Sequence, residues 1–122
     1  RFDVLVTTNL FGDILSDEAA GVIGSLGLCA SANIGSDYAL FEPIHGSAPD
    51  IAGKGIANPV GAMRSAAMMM EWLEGPEKAR RIEAAVQKAL EGGARTPDLG
   101  GNSKTADVTE AVTRYLGALE SR

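Results

Sequence analysis

Short apolar runs alternate along the chain with longer stretches whose apolar residues recur every three or four positions, and this rhythm sets out most of the elements. Phe2-Asp-Val-Leu-Val-Thr7 is a dense apolar run ending in the polar Thr7-Thr8-Asn9, the mark of a short strand. From Asn9 or Leu10 the period lengthens: Ile14, Leu15, Ala19, Val22 and Ile23 share a broad helical side until Gly24 and Gly27 break it. Residues 24–37 mix glycine with small side chains, and Ser31 to Ile34 reads as an edge strand. Tyr38 to Ile44 is a further strand, placed at an edge or ended by Pro43, which cannot donate to a ladder.

The remaining pattern is helical. A helix is expected from Pro59 to about Glu74, with Val60, Met63, Ala66, Ala67 and Met70 on one side. Proline suits a first turn because its missing N–H has no partner there, and Asn58 before it is a good cap. Met68-Met69-Met70-Glu71-Trp72 reads as core and interface packing. Gly75-Pro76 stops this helix and starts another, which carries Ala79, Ile82, Val86, Ala89 and Leu90 opposite a charged, solvated face and ends at Gly92-Gly93. After the loop Arg95-Thr-Pro-Asp-Leu-Gly-Gly101, a last helix begins at Thr105. Its stripe of Val108, Ala111, Val112, Tyr115, Leu116 and Leu119 is expected to dock on a sheet. Strands and helices together predict an α/β fold.

Composition narrows the class. With 122 residues the chain fits one domain or part of a larger one, and 45% hydrophobic with 22% charged residues is ordinary for a globular protein. A net charge of −5 argues against a nucleic-acid or anionic-membrane partner, since both need basic patches. The single cysteine, Cys29, cannot close an internal disulfide, so the cytoplasm is the expected compartment and a small packed apolar role is expected for Cys29. No run of about 20 apolar residues and no basic-then-apolar leader occurs. The abrupt start in a strand reads as the interior of a longer protein.

Chemistry concentrates at two places. In His45-Gly-Ser-Ala-Pro-Asp50-Ile-Ala-Gly53-Lys-Gly55-Ile-Ala-Asn58-Pro59 the glycines let a ligand approach the backbone, and the following helix start offers N–H groups to a phosphate. The plain alternative is a connector loop, with Lys54 a solvent-facing charge. Asp50 can accept from ribose hydroxyls and would repel the extra phosphate of NADP, or it braces a Pro-Asp turn. Asp13 and Asp17 stand one helical turn apart. Exposed, such a pair costs only about 0.2–0.5 kcal/mol; in a dry cleft it costs several, and a divalent cation becomes the remedy.

These stretches resemble the β-decarboxylating dehydrogenases, the family of isopropylmalate, isocitrate, homoisocitrate and tartrate dehydrogenases. The 45–59 string resembles their cofactor-binding loop. Thr7-Thr8-Asn9-Leu10-Phe11-Gly12-Asp13-Ile14-Leu15-Ser16-Asp17 is similar to the segment whose two aspartates bind Mg²⁺ or Mn²⁺, and the 95–101 loop is similar to its family counterpart, homoisocitrate-type members most of all. The resemblance covers nearly the whole chain but only the C-terminal third of a family member.

It implies the C-terminal portion of the isopropylmalate/isocitrate dehydrogenase-like fold, a mixed sheet flanked by helices and incomplete in this chain. Residues 1–24 would end the dimerisation and substrate domain, and 25–122 would belong to the cofactor-binding domain. By the same resemblance Asp13 and Asp17 are metal ligands, joined by an aspartate from a partner subunit. Cofactor contacts fall on Asn9, Glu42, His45, Gly46, Ser47, Ala48, Asp50, Ile51 and Asn58, with Asn9 and Glu42 towards the nicotinamide and its ribose and His45 towards the adenine. NADP-preferring members tend to carry a basic residue at the place of Asp50.

The implied reaction is NAD- and metal-dependent oxidation of a 2-hydroxy acid followed by loss of CO₂. The family's substrate-gripping arginines and its acid/base tyrosine and lysine lie upstream, so this chain holds no catalytic residue and is expected to be inactive alone. Its partners would be the N-terminal part of the parent enzyme, the small 2-hydroxy acid, and a second copy in a homodimer or higher oligomer. Unpaired strand edges would be exposed or drive self-association. The rival readings are a non-catalytic regulatory or scaffold subunit and a bare NAD-binding module. Thr7-Thr8-Asn9 and the 95–98 loop lean towards homoisocitrate or isocitrate, while the 45–59 loop suits isopropylmalate equally.

Overall fold

The computed structural model of the chain describes residues 2–120. Its elements run α1 (Asn9–Ile23), β1 (Ala30–Ile34), β2 (Ala39–Pro43), α2 (Val60–Glu74), α3 (Pro76–Glu91) and α4 (Thr105–Glu120), with single 3-10 turns at Leu26–Leu28, Pro49–Ile51 and Pro97–Leu99. Helix boundaries follow the sequence punctuation. α1 stops where Gly24 turns left-handed (φ 119°) and returns its N–H to the Ala20 carbonyl at 3.0 Å. Gly75 (φ 91°) separates α2 from α3, and Pro76 occupies the first turn of α3, where its missing donor costs nothing. α2 begins one residue later than expected, at Val60, because Pro59 supplies the carbonyl that the Met63 amide reaches at 3.1 Å.

The core lies among α2, α3 and α4. Leu28, Val60, Ala85, Val86, Ala89, Val108, Ala111 and Val112 are buried together, with Met63, Ile82, Leu90, Tyr115 and Leu116 packed around them. Alanines at 85, 89 and 111 keep the facing surfaces small. α3 sits between the other two, and the stripe of α4 docks on α3 rather than on a sheet. The sheet is too small and too distant to receive it: β1 and β2 form one antiparallel pair, in register from Ala30 opposite Pro43 to Ile34 opposite Ala39, and this hairpin lies against α2. Trp72 of α2 meets Phe41 of β2 with ring centroids 6.3 Å apart and planes tilted by 54°. Met69 and Trp72 remain partly exposed at that side.

The run 2–7 is not a strand. Among the described residues nothing pairs with it, and Val4 and Val6 are 78% and 93% exposed. A strand exists only through the ladder it joins. The weaker Ser31–Ile34 run does become a strand, because β2 returns beside it through the tight link in which the Gly35 amide donates to the Tyr38 carbonyl at 2.9 Å. α1 buries only Ala20 and touches the body mainly at the Leu26–Leu28 turn. Cys29 is half-buried and free. No helix of the described residues is long and apolar enough to cross a membrane.

Candidate cofactor corner and acidic pair

The 45–58 segment is pinned at both ends and open in the middle. At its start, the Ile44 amide donates to the Cys29 carbonyl at 3.3 Å, tying the end of β2 to the turn after α1. His45 is half-buried, and its Nδ1 donates to the Gly46 carbonyl at 3.0 Å, a local contact that fixes the ring against its own loop. Gly46, Ser47, Ala48, Pro49 and Asp50 are exposed. Ala48 takes a left-handed conformation (φ 44°, ψ 61°), rare for a residue with a Cβ. It launches the 3-10 turn Pro49–Ile51, in which the amides of Ile51 and Ala52 reach the carbonyls of Ala48 and Pro49 at 3.1 and 3.2 Å. Asp50 and Ile51 sit in that turn, and the Asp50 carboxylate has no hydrogen-bond or ion-pair partner among the described residues.

The far end is held more firmly. The start of α4 grips it: the Thr105 amide donates to the Gly55 carbonyl at 2.9 Å and its hydroxyl to the Ala57 carbonyl at 2.6 Å. Asn58 Oδ1 accepts from the Val60 amide at 3.0 Å, so Asn58 satisfies the first amide of α2 from one residue before the N-cap. The N-cap is Pro59 and not the expected Asn58, because the helix starts one residue later. Its Nδ2 donates to Asp98 Oδ2 at 2.9 Å, and the Ser25 hydroxyl donates to the same oxygen at 2.5 Å. Partial burial works to raise the pKa of Asp98. Hydrogen bonds from Ser25 and Asn58 and from backbone outweigh it and hold the carboxyl below its ordinary range.

One expectation changes. The start of α2 is not open to a phosphate: Val60 and Gly61 are buried, the Val60 amide is taken by Asn58, and a Cβ at Gly61 would lie 2.8 Å from the Cys29 carbonyl oxygen. Close packing against the 27–29 turn closes this helix end. The backbone that a ligand can reach is the exposed loop 46–50.

Asp13 and Asp17 are exposed on α1, one turn apart; the Ser16 hydroxyl between them donates to the Asp13 carbonyl at 3.0 Å. No third His, Cys, Asp or Glu gathers with them among the described residues. Two carboxylates suit Mg²⁺ or Mn²⁺, ions that keep several waters and take one or two protein carboxylates together with ligand oxygens. Asn9, at the start of α1, and Glu42, opposite Ser31 on the hairpin, are exposed too.

A hollow of about 310 Å³ lies between α1 and the body: Ser16, Ala20 and Ile23 of α1 line it together with Cys29, Ile44 and Arg64. Ser16 and Ala20 neighbour Asp13 and Asp17 at helical spacing, and Ile44 directly precedes His45. Arg64, which lines the hollow, donates from Nη1 to the Leu28 carbonyl at 3.0 Å and pairs through Nε with Glu83 at 3.3 Å.

Sequence reading did not single out Ser25, Arg64 or Asp98. Asp98 carried one visible signal: Pro97-Asp98-Leu99 repeats the pattern of Pro49-Asp50-Ile51, and both triplets form the same 3-10 turn.

The chain matches the family model described as isocitrate/isopropylmalate dehydrogenase over residues 1–112. It is 63% identical over 119 residues to an isocitrate/homoisocitrate dehydrogenase of Thermus thermophilus, covering 98% of this chain and 36% of the relative. To a 3-isopropylmalate dehydrogenase of Archaeoglobus fulgidus it is 54% identical, covering 95% of this chain and 36% of the relative. Among solved structures, the crystal structure of an isocitrate dehydrogenase from Methylococcus capsulatus superposes with a TM-score of 0.88 at 60% identity, covering 95% of this chain and 35% of that one. The chain thus spans about a third of the length of the relatives it matches.

Proposed function

Because the chain belongs to the isocitrate/isopropylmalate dehydrogenase family, we propose that it is the metal- and NAD-binding portion of a β-decarboxylating dehydrogenase acting on a 2-hydroxy acid of the isopropylmalate, isocitrate or homoisocitrate type. The observation that carries the reading is Asp50: an unpartnered, exposed carboxylate on a loop anchored at both ends. A carboxylate that braces nothing is free to accept two ribose hydroxyls, and it repels a 2′-phosphate, which favours NAD over NADP.

In this reading the loop backbone at Gly46, Ser47 and Ala48 receives the cofactor, with His45, Ile51 and Asn58 bordering it and Asn9 and Glu42 closing the nicotinamide side. Asp13 and Asp17, one helical turn apart on α1, would hold a divalent ion. When bound, the ion would supply Lewis-acid polarisation of the substrate oxygens and NAD a hydride acceptor. Residues 1–24 then belong to a substrate and dimerisation unit and 25–122 to the cofactor unit. Substrate arginines and the acid/base pair come from elsewhere in the assembled homodimer or higher oligomer, so the chain alone gives no turnover.

Calorimetry of this chain tests the reading. NAD should bind at least tenfold more tightly than NADP, and Asp50→Arg should reverse the order. Mn²⁺ binding should be lost in Asp13→Asn/Asp17→Asn. Equal affinity for the two dinucleotides removes the role of Asp50. NAD binding with no metal binding favours a bare nucleotide module, and the absence of both favours a scaffold subunit.

A further inference from the structure

We propose that Asp98 is a positioning residue for the 45–58 corner, acting through Asn58; the inference rests on reading that corner as the dinucleotide site. Three separated segments converge here. Asp98 Oδ2 accepts from the Ser25 hydroxyl at 2.5 Å and from Asn58 Nδ2 at 2.9 Å, and Asn58 Oδ1 accepts from the Val60 amide at 3.0 Å. A side-chain amide has one donor end and one acceptor end. A carboxylate can only accept and a backbone N–H can only donate, so each end of Asn58 faces the one partner it can bond. Turning the amide over would set oxygen against carboxylate and NH₂ against N–H, forfeiting both bonds.

The arrangement is also fixed sterically. Gly27 leaves the space that it occupies: a Cβ there would lie 2.8 Å from the Cβ of Asn58 and 3.1 Å from Asp98 Oδ2. Asn58 is half-buried, so one N–H and one lone pair of its amide remain available with their directions already set. A ligand in the corner meets a preorganised amide and does not have to order it on binding. A carboxylate is the strongest acceptor available for this task. It reaches Asn58 from 40 residues away in sequence, across the 3-10 turn Pro97–Leu99.

The test uses the ¹⁵N-labelled chain with Asp98→Ala, Asp98→Asn, Asn58→Ala and Asp98→Ala/Asn58→Ala, titrated with NAD. Asp98→Ala and Asn58→Ala should each weaken NAD binding about tenfold, the size expected for losing a charge-assisted hydrogen bond. The double variant should lose no more than the worse single one, because both act through one amide. Losses that multiply in the double variant, or wild-type affinity in Asp98→Ala, overturn the proposal. Should Asp98→Ala not fold, the isosteric Asp98→Asn takes its place, with an expected loss of about threefold.

Amide exchange separates this inference from the reading beneath it. In Asp98→Ala the Val60 amide should exchange at least tenfold faster while the core amide of Val86 is unchanged. If the wild-type chain fails to bind NAD at millimolar concentration, the cofactor reading of the corner falls. Val60 exchange then decides the positioning role by itself: acceleration supports it and an unchanged rate overturns it.

Discussion

Asp50 and Asp98 occupy the same position in two like turns, Pro-Asp-Ile and Pro-Asp-Leu, yet one stands free and the other ties three segments together. The difference has a measurable consequence. The folded-state pKa of Asp98 lies below its ordinary value, so as pH falls the unfolded chain takes up the proton first. The stabilisation from Asp98 is therefore complete above the ordinary carboxylate range and is lost as pH falls through that range towards the folded-state pKa. Urea midpoints measured from pH 6 to pH 3 should fall, and Asp98→Asn should flatten part of that decline. Ala48 makes a second residue-scale case. A left-handed residue with a Cβ costs roughly 1–2 kcal/mol, and glycine gives back about 0.5–1 kcal/mol in extra unfolded-chain freedom. Ala48→Gly should raise stability by up to about 1 kcal/mol and Ala48→Val should lower it, both read from denaturant midpoints.

At the scale of elements, the helices were legible because each depends mainly on its own period and punctuation. α1, α2, α3 and α4 lie within a residue of their sequence boundaries, with Gly24, Gly75-Pro76, Gly92 and Thr105 as the markers. Strands were less so. The run 2–7 has the stronger strand composition but no partner among the described residues, whereas the poorer run at Ala30–Ile34 is a strand because β2 lies beside it. How elements meet was harder still. Gly61, one residue into α2, is the point at which that helix rests on the 27–29 turn: an added Cβ would meet the Cys29 carbonyl at 2.8 Å and the Gly27 carbonyl at 3.1 Å. Gly61→Ala gains helix propensity but must push backbone aside, for a net loss of about 1–3 kcal/mol in urea unfolding. The same substitution at Gly117, on the exposed side of α4 with open space around its Cβ, should stabilise instead by several tenths of a kcal/mol.

For the molecule as a whole, the apolar surface is divided unevenly. The α2–α4 body buries its stripes, but Phe2, Val4, Leu5, Val6, Leu10, Phe11, Val22 and Ile23 all stay more than half exposed. Exposed apolar side chains in this number favour association or the binding of hydrophobic probes. The chain should bind the dye ANS and self-associate at micromolar concentration in sedimentation experiments, and Val4→Ser/Val6→Ser/Phe11→Ser should reduce both without lowering the melting temperature of the α2–α4 body. A monodisperse monomer that excludes the dye would contradict this. The amino-acid sequence by itself determined the helices, the glycines that end them, the acidic pair one turn apart and the glycine-rich corner, because periodicity and propensity act over a few residues. Only the tertiary structure decided that α4 lies on α3, that the start of α2 is closed to ligands, and that Ser25, Asn58 and Asp98 share one carboxylate oxygen. Those contacts join residues tens of positions apart, and short-range pattern carries no record of which distant side chain will fill a given space.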